Sequence, residues 1–75
     1  MKVQIELDEL SKKTLVRIAL ETSDSDILDE LAKSKSGKVL TAVASNGWTK
    51  RKILEELANH SNEAVKAAAL RTLNC

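Results

Sequence analysis

The chain has 75 residues, with 12 basic and 11 acidic side chains and a net charge of +1. That length holds one domain with a small core, 1–75, and the near balance of charge excludes a global electrostatic pull toward nucleic acid or membrane. Proline, phenylalanine and tyrosine are absent, so the apolar content is nearly all Leu, Ile, Val and Ala, which suits closely packed helices. The balance is uneven along the chain: residues 1–37 carry six basic and eight acidic groups, residues 38–75 six and three.

In the N-terminal segment, 1–10, Val3, Ile5 and Leu7 alternate with Gln4, Glu6 and Asp8. That is the period of a half-buried strand. A helical reading competes, with Val3, Leu7 and Leu10 on one stripe. The extended reading is preferred, and such a lone strand would pair with a second copy. The stretch shows no apolar run of the kind a signal peptide carries.

From Ser11 the pattern is regular. Candidate N-caps fall at Ser11, Ser23, Ser36, Thr49 and Ser61. Each is followed four residues on by an apolar residue (Leu15, Ile27, Leu40, Ile53, Val65) and then, about a turn later, by a second apolar cluster. Five helices of about ten residues follow from this spacing. Leu10 with Leu15, and Trp48 with Ile53, have the spacing of hydrophobic staples around Ser11 and Thr49. Ser23 has Asp26 three residues on, a shortened capping box, and Asp24 adds charge suited to a helix start. Gly47 after Asn46 is placed for a left-handed helix stop, and Gly37 is a weak residue for a helix start. The links between helices are two or three residues, which makes successive helices neighbours.

The helices alternate between large and small residues. Ile27-Leu28-Asp29-Glu30-Leu31-Ala32 repeats as Ile53-Leu54-Glu55-Glu56-Leu57-Ala58, and Val39 and Ala42 return as Val65 and Ala68. The period is 26 residues. Repeat units at 11–48 and 49–75 then describe an all-α, short helical-pair solenoid.

At these residues the chain resembles the leucine-rich repeat variant family, a relative of HEAT and armadillo repeats. That family's pattern runs Val-Leu-x-x-Leu-Ala, an Asp-rich turn, Val-Arg-x-Ala-Val-Ala-x-Asn-Pro, then Thr-Pro. Here the second half reads Val39-Leu40-Thr41-Ala42-Val43-Ala44-Ser45-Asn46-Gly47, then Thr49. The chain departs from the pattern at Gly47 and Lys50, where the family has proline, and at Leu40 and Lys66, where it has arginine. The resemblance implies a right-handed α-α superhelix, with a partly 3₁₀ form open for the smaller-residue helices. One type in the family carries an iron–sulfur cluster on a Cys-rich segment; no such segment is present here, and no cofactor or metal is expected.

For chemistry, His60 is a lone histidine in a turn with no partner in sequence for catalysis. Asp24, Asp26, Asp29 and Glu30 read as a solvated acidic face, since they lack the loop and glycine of a calcium site. Cys75, the only cysteine, reads as incidental; it excludes an internal disulfide and points to a reducing compartment. With no apolar run long enough to span a bilayer, the expectation is a soluble cytoplasmic protein.

The candidate partner-binding residues are Trp48, Lys50, Arg51 and Lys52, together with Lys38. Three cations on the first turn of a helix oppose its dipole, and an acidic partner would offset that conflict. Trp48 beside them suits a protein hot spot or a stacked base. The expected function is a non-enzymatic protein–protein interaction module; the alternative is nucleic-acid binding through the basic turn. No membrane partner is expected. Ala68, Leu70 and Leu73 on the open last helix, or paired Val3–Leu7 segments, frame a homodimer as a further expectation.

Overall fold

The computed structural model describes the backbone of residues 2–74 and the side chains of residues 12–74. Cys75 and the expectation attached to it lie outside the described residues. Among the described residues five α-helices follow one another: α1 (Lys2–Glu21), α2 (Ser25–Leu31), α3 (Gly37–Ser45), α4 (Arg51–Ala58) and α5 (Glu63–Leu73). No strand occurs among the described residues. The all-α class and the helix count match the sequence reading.

The N-terminal expectation is corrected. The segment read as extended is the first half of a 20-residue helix, and Ser11 lies inside it rather than at a cap. From Lys2 to Glu21 the chain holds neither glycine nor proline, the residues that break helices. A three-residue alternation is too short a signal to override that continuity. Ser11 therefore offers no helix start for a staple to flank.

Two other starts move by one residue. Asp24, not Ser23, caps α2, its Oδ1 accepting from the N–H of Asp26 at 2.9 Å. Asn62, not Ser61, caps α5, its Oδ1 accepting from the N–H of Ala64 at 2.9 Å. Asp and Asn are favoured caps, and their longer side chains reach the amide two positions on. Ser36 is the N-cap of α3 as expected, without a side-chain hydrogen bond.

Helix α3 is the centre. It packs against α1 on one side and α5 on the other, and α2 and α4 lie against this row. Five of its nine residues are buried: Val39, Leu40, Ala42, Val43 and Ala44. Small side chains let neighbouring helices approach it from several directions. Ala19, Leu28, Leu57, Val65 and Ala69 close the same core. Each fully buried Val or Leu contributes about 1.5–3 kcal/mol relative to exposure. The small-residue helices α3 and α5 are α-helical.

The odd-numbered helices run in one direction. A Cβ built on Gly37, the first residue of α3, would come within 2.7 Å of the Asn62 side chain, the cap of α5. At the opposite end the Thr72 hydroxyl of α5 reaches the carbonyl of Ala44 in α3. The end of α1 meets the end of α3 through Asn46. Helix starts recur at a fixed interval: α2 at Ser25 and α4 at Arg51, α3 at Gly37 and α5 at Glu63. Among the described residues no helix is long and apolar enough to cross a membrane.

Candidate functional site

The link from α3 to α4 carries Trp48 and the basic turn, and its shape is set by two buried polar side chains. The Nδ2 of Asn46 donates to the carbonyls of Ala19 at 2.8 Å and Thr22 at 2.7 Å, where α1 ends. The Oδ1 of Asn46 accepts from the N–H of Trp48 at 2.8 Å. Thr49 is buried, and its hydroxyl donates to the carbonyl of Val43 at 2.7 Å.

Thr49 is therefore not the cap of α4. The Val43 carbonyl, which also accepts from the Asn46 N–H at 3.1 Å, takes the buried hydroxyl as a second donor. The exposed amides of α4 can take water instead. Lys50 stands at the N-cap of α4 without a side-chain cap bond. The expected left-handed stop at Gly47 is corrected too, since no described glycine has a positive φ.

Trp48 is 66% exposed. It does not bury itself as a staple against Ile53; its backbone is fixed while its indole stands in solvent. Of the three cations that follow, two are already engaged. The Lys50 ammonium lies 2.7 Å from Asp29 Oδ2 and 3.7 Å from Asp26 Oδ1. The hydrogen bond and charge of Asp29, assisted by Asp26, hold the Lys50 pKa above the ordinary lysine value. Arg51 Nε lies 3.3 Å from Glu55 Oε2, one turn along α4. Lys52 is exposed, with no ion pair among the described residues. The dipole conflict at the start of α4 is thus answered largely within the chain, by acids of α2 and α4.

Lys38 does not join this turn. It is the second residue of α3, whereas Trp48 to Lys52 follow the end of that helix. Seven residues of helix, 39–45, separate the two places, about 10 Å at 1.5 Å per residue. Lys38 instead lines a groove of about 680 Å³ with Lys12 and Val16 of α1 and Ser36, Asn62 and Ala64 at the starts of α3 and α5. An adjoining depression of about 450 Å³ shares Lys12, Val16 and Lys38 and adds Lys13. Lys12 and Lys13 are not among the binding residues expected from the sequence. Their adjacency was visible, but the helix that carries them to Lys38 was not.

His60 accepts a hydrogen bond at Nδ1 from the N–H of Asn62 at 3.0 Å, a turn-stabilising contact. Among the described residues no three His, Cys, Asp or Glu side chains gather as a metal site. Asp29 Oδ1 is buried without a hydrogen-bond partner, while its Oδ2 takes Lys50. No protein-family model, no curated protein and no solved structure matches the chain.

Proposed function

We propose that the chain is a non-enzymatic helical-repeat module that binds a protein partner, with Trp48 as its anchor. The observation that carries this reading is the pairing of a fixed backbone with an exposed indole. Asn46 and Thr49 tie the Trp48 turn to α1 and α3 through buried hydrogen bonds, yet two-thirds of the side chain is left in water. An aromatic held this way loses little conformational entropy on binding, and tryptophan is enriched among the residues that dominate interface energies.

The repeat reading has two supports. Helices α2 and α4 start 26 residues apart, as do α3 and α5. Asn46 and Thr72, also 26 apart, each donate to a carbonyl near the end of the preceding odd-numbered helix. The two contacts differ in donor, and their acceptors are 25 residues apart, but both tie the end of one odd-numbered helix to the end of the one before it, as stacked units would. In this reading the row α1, α3, α5 is one layer of a short right-handed superhelix, and α2 and α4 form the other.

The test is affinity capture with the wild-type chain and with Trp48→Ala. Because the indole is exposed, the substitution should leave the helical circular dichroism and the melting midpoint nearly unchanged. It should remove most of a captured protein set that survives added salt. An unchanged set would overturn the anchor. Capture dominated by nucleic acid and lost steeply with salt would replace the reading by phosphate-driven binding.

A further inference from the structure

We propose that the groove between α1 and the starts of α3 and α5 is a docking surface for an acidic peptide segment of a protein partner, received by the ammonium groups of Lys12, Lys13 and Lys38. The proposal rests on the interaction-module reading for the class of partner. It uses a different surface, at the opposite end of α3 from Trp48.

The two adjoining depressions share Lys12, Val16 and Lys38, and no described residue lining either one is acidic. Lys33, Lys50 and Arg51 by contrast each have a carboxylate within ion-pair distance. Helix α3 contains no acidic residue, so Lys38 has no helical partner of its own. Asp8 and Glu9 precede Lys12 and Lys13 by four positions in the sequence, a spacing whose exposed pairs are too weak to withhold an ammonium from a partner. Glu63 is exposed beside Asn62 on α5 but does not line the groove.

The lining chemistry favours a peptide over a nucleic acid. Single-stranded nucleic acid is held by aromatic platforms as well as cations, and the one aromatic side chain, Trp48, is at the other end of α3. Val16 and Ala64 supply an apolar wall suited to an aliphatic side chain. Asn62 uses its Oδ1 in the cap of α5, and its Nδ2 has no hydrogen-bond partner among the described residues, so it can donate to a peptide carbonyl. The cations are lysines, which act as point charges. Phosphopeptide readers rely on the planar fork of arginine, so carboxylates are the better match.

The experiment is fluorescence anisotropy on the whole chain, with a short fluorescein-labelled peptide rich in glutamate and carrying a central leucine. Wild type, Lys38→Glu, Lys38→Gln, Lys66→Glu and Trp48→Ala are compared at low and physiological salt, with circular dichroism checking that each is folded. Saturable binding to wild type is expected, weakening as salt rises. Lys38→Glu should weaken it about tenfold or more, and Lys38→Gln by less. Lys66→Glu, an exposed charge outside the groove, and Trp48→Ala should leave it near wild type. No saturable binding at low salt overturns the proposal, as does an equal loss in Lys66→Glu. A single-stranded oligonucleotide of matched charge binding more tightly, through Lys38, overturns the choice of peptide. Trp48-dependent capture without peptide binding would remove the groove and leave the module reading standing.

Discussion

Asn46→Ala should be among the most damaging single changes in this protein. The residue is 5% exposed and its side chain makes three hydrogen bonds, two from Nδ2 to the carbonyls of Ala19 in α1 and Thr22 just past it, and one from the Trp48 N–H to Oδ1. A typical hydrogen bond contributes about 1 kcal/mol net, and a buried group left without a partner costs about 1–3 kcal/mol. Truncation leaves the buried contact at the Ala19 carbonyl unmade, so the expected loss is roughly 3 kcal/mol. A chain of this size has a total stability on the order of 4–11 kcal/mol. With a urea slope of about 1 kcal/mol/M, the midpoint should fall by about 3 M. The assay is urea unfolding followed by far-ultraviolet circular dichroism. Trp48 emission is the poorer probe, because the indole is already largely in water. Asn46→Asp keeps the shape but turns a donor toward two carbonyls into an anion, so it should be at least as unstable at neutral pH and recover when acid protonates it. A loss below about 1 kcal/mol for Asn46→Ala would refute the link, because a single exposed hydrogen bond accounts for that much.

Three further outcomes follow from the same geometry. Gly47→Ala should stabilise by about 0.4–1 kcal/mol in thermal melts, since Gly47 has no positive φ and a Cβ there meets nothing within 4 Å; a loss would restore the left-handed stop. Gly37→Ala should destabilise by pressing on the Asn62 cap at 2.7 Å, and in an Asn62→Ser background, where the cap is shorter, the cost should shrink or change sign. The Lys50 pKa is raised by Asp29, so the contribution of that ammonium is present below the unfolded lysine pKa of about 10.4 and is lost as pH rises through the higher folded value. Lys50→Met should accordingly be less stable than wild type at pH 7, with a gap that narrows in alkali; a gap independent of pH would show that the ion pair contributes nothing.

What was legible in the sequence was what depends on neighbours a turn or two away. Of the apolar residues that helical spacing put four positions after each expected cap, Leu40 and Val65 are buried and Leu15 and Ile53 half-buried, while Ile27 is 41% exposed and its neighbour Leu28 takes the core position. The small residues of the central helix were also informative, because a helix packed on several sides must be slim. The N-terminal helix was readable in principle. The absence of any glycine or proline before Gly37 was a better guide than the alternation of Val3, Ile5 and Leu7. The caps were located to within one residue where a serine stood beside an Asp or Asn that reaches further.

The candidate site resisted for a different reason: its residues take their partners from far along the chain. Asn46 followed by glycine looks like an ordinary turn, yet its donors serve carbonyls 24 and 27 residues earlier. Thr49 has the look of a cap and is drawn inward by the carbonyl of Val43. Lys50 adds to a dipole conflict in the sequence, and the fold answers it by bringing Asp29, 21 residues before it, alongside. In each case a buried or charged group elsewhere takes the side chain before the exposed amides of the following helix can. The same packing separates Lys38 from Lys50 and brings it to Lys12. Local spacing located the charges and the one aromatic side chain. The packing of the helices against one another decides which charges are neutralised inside the chain, as Lys50 is by Asp29, and which stay in solvent, as Lys52 does.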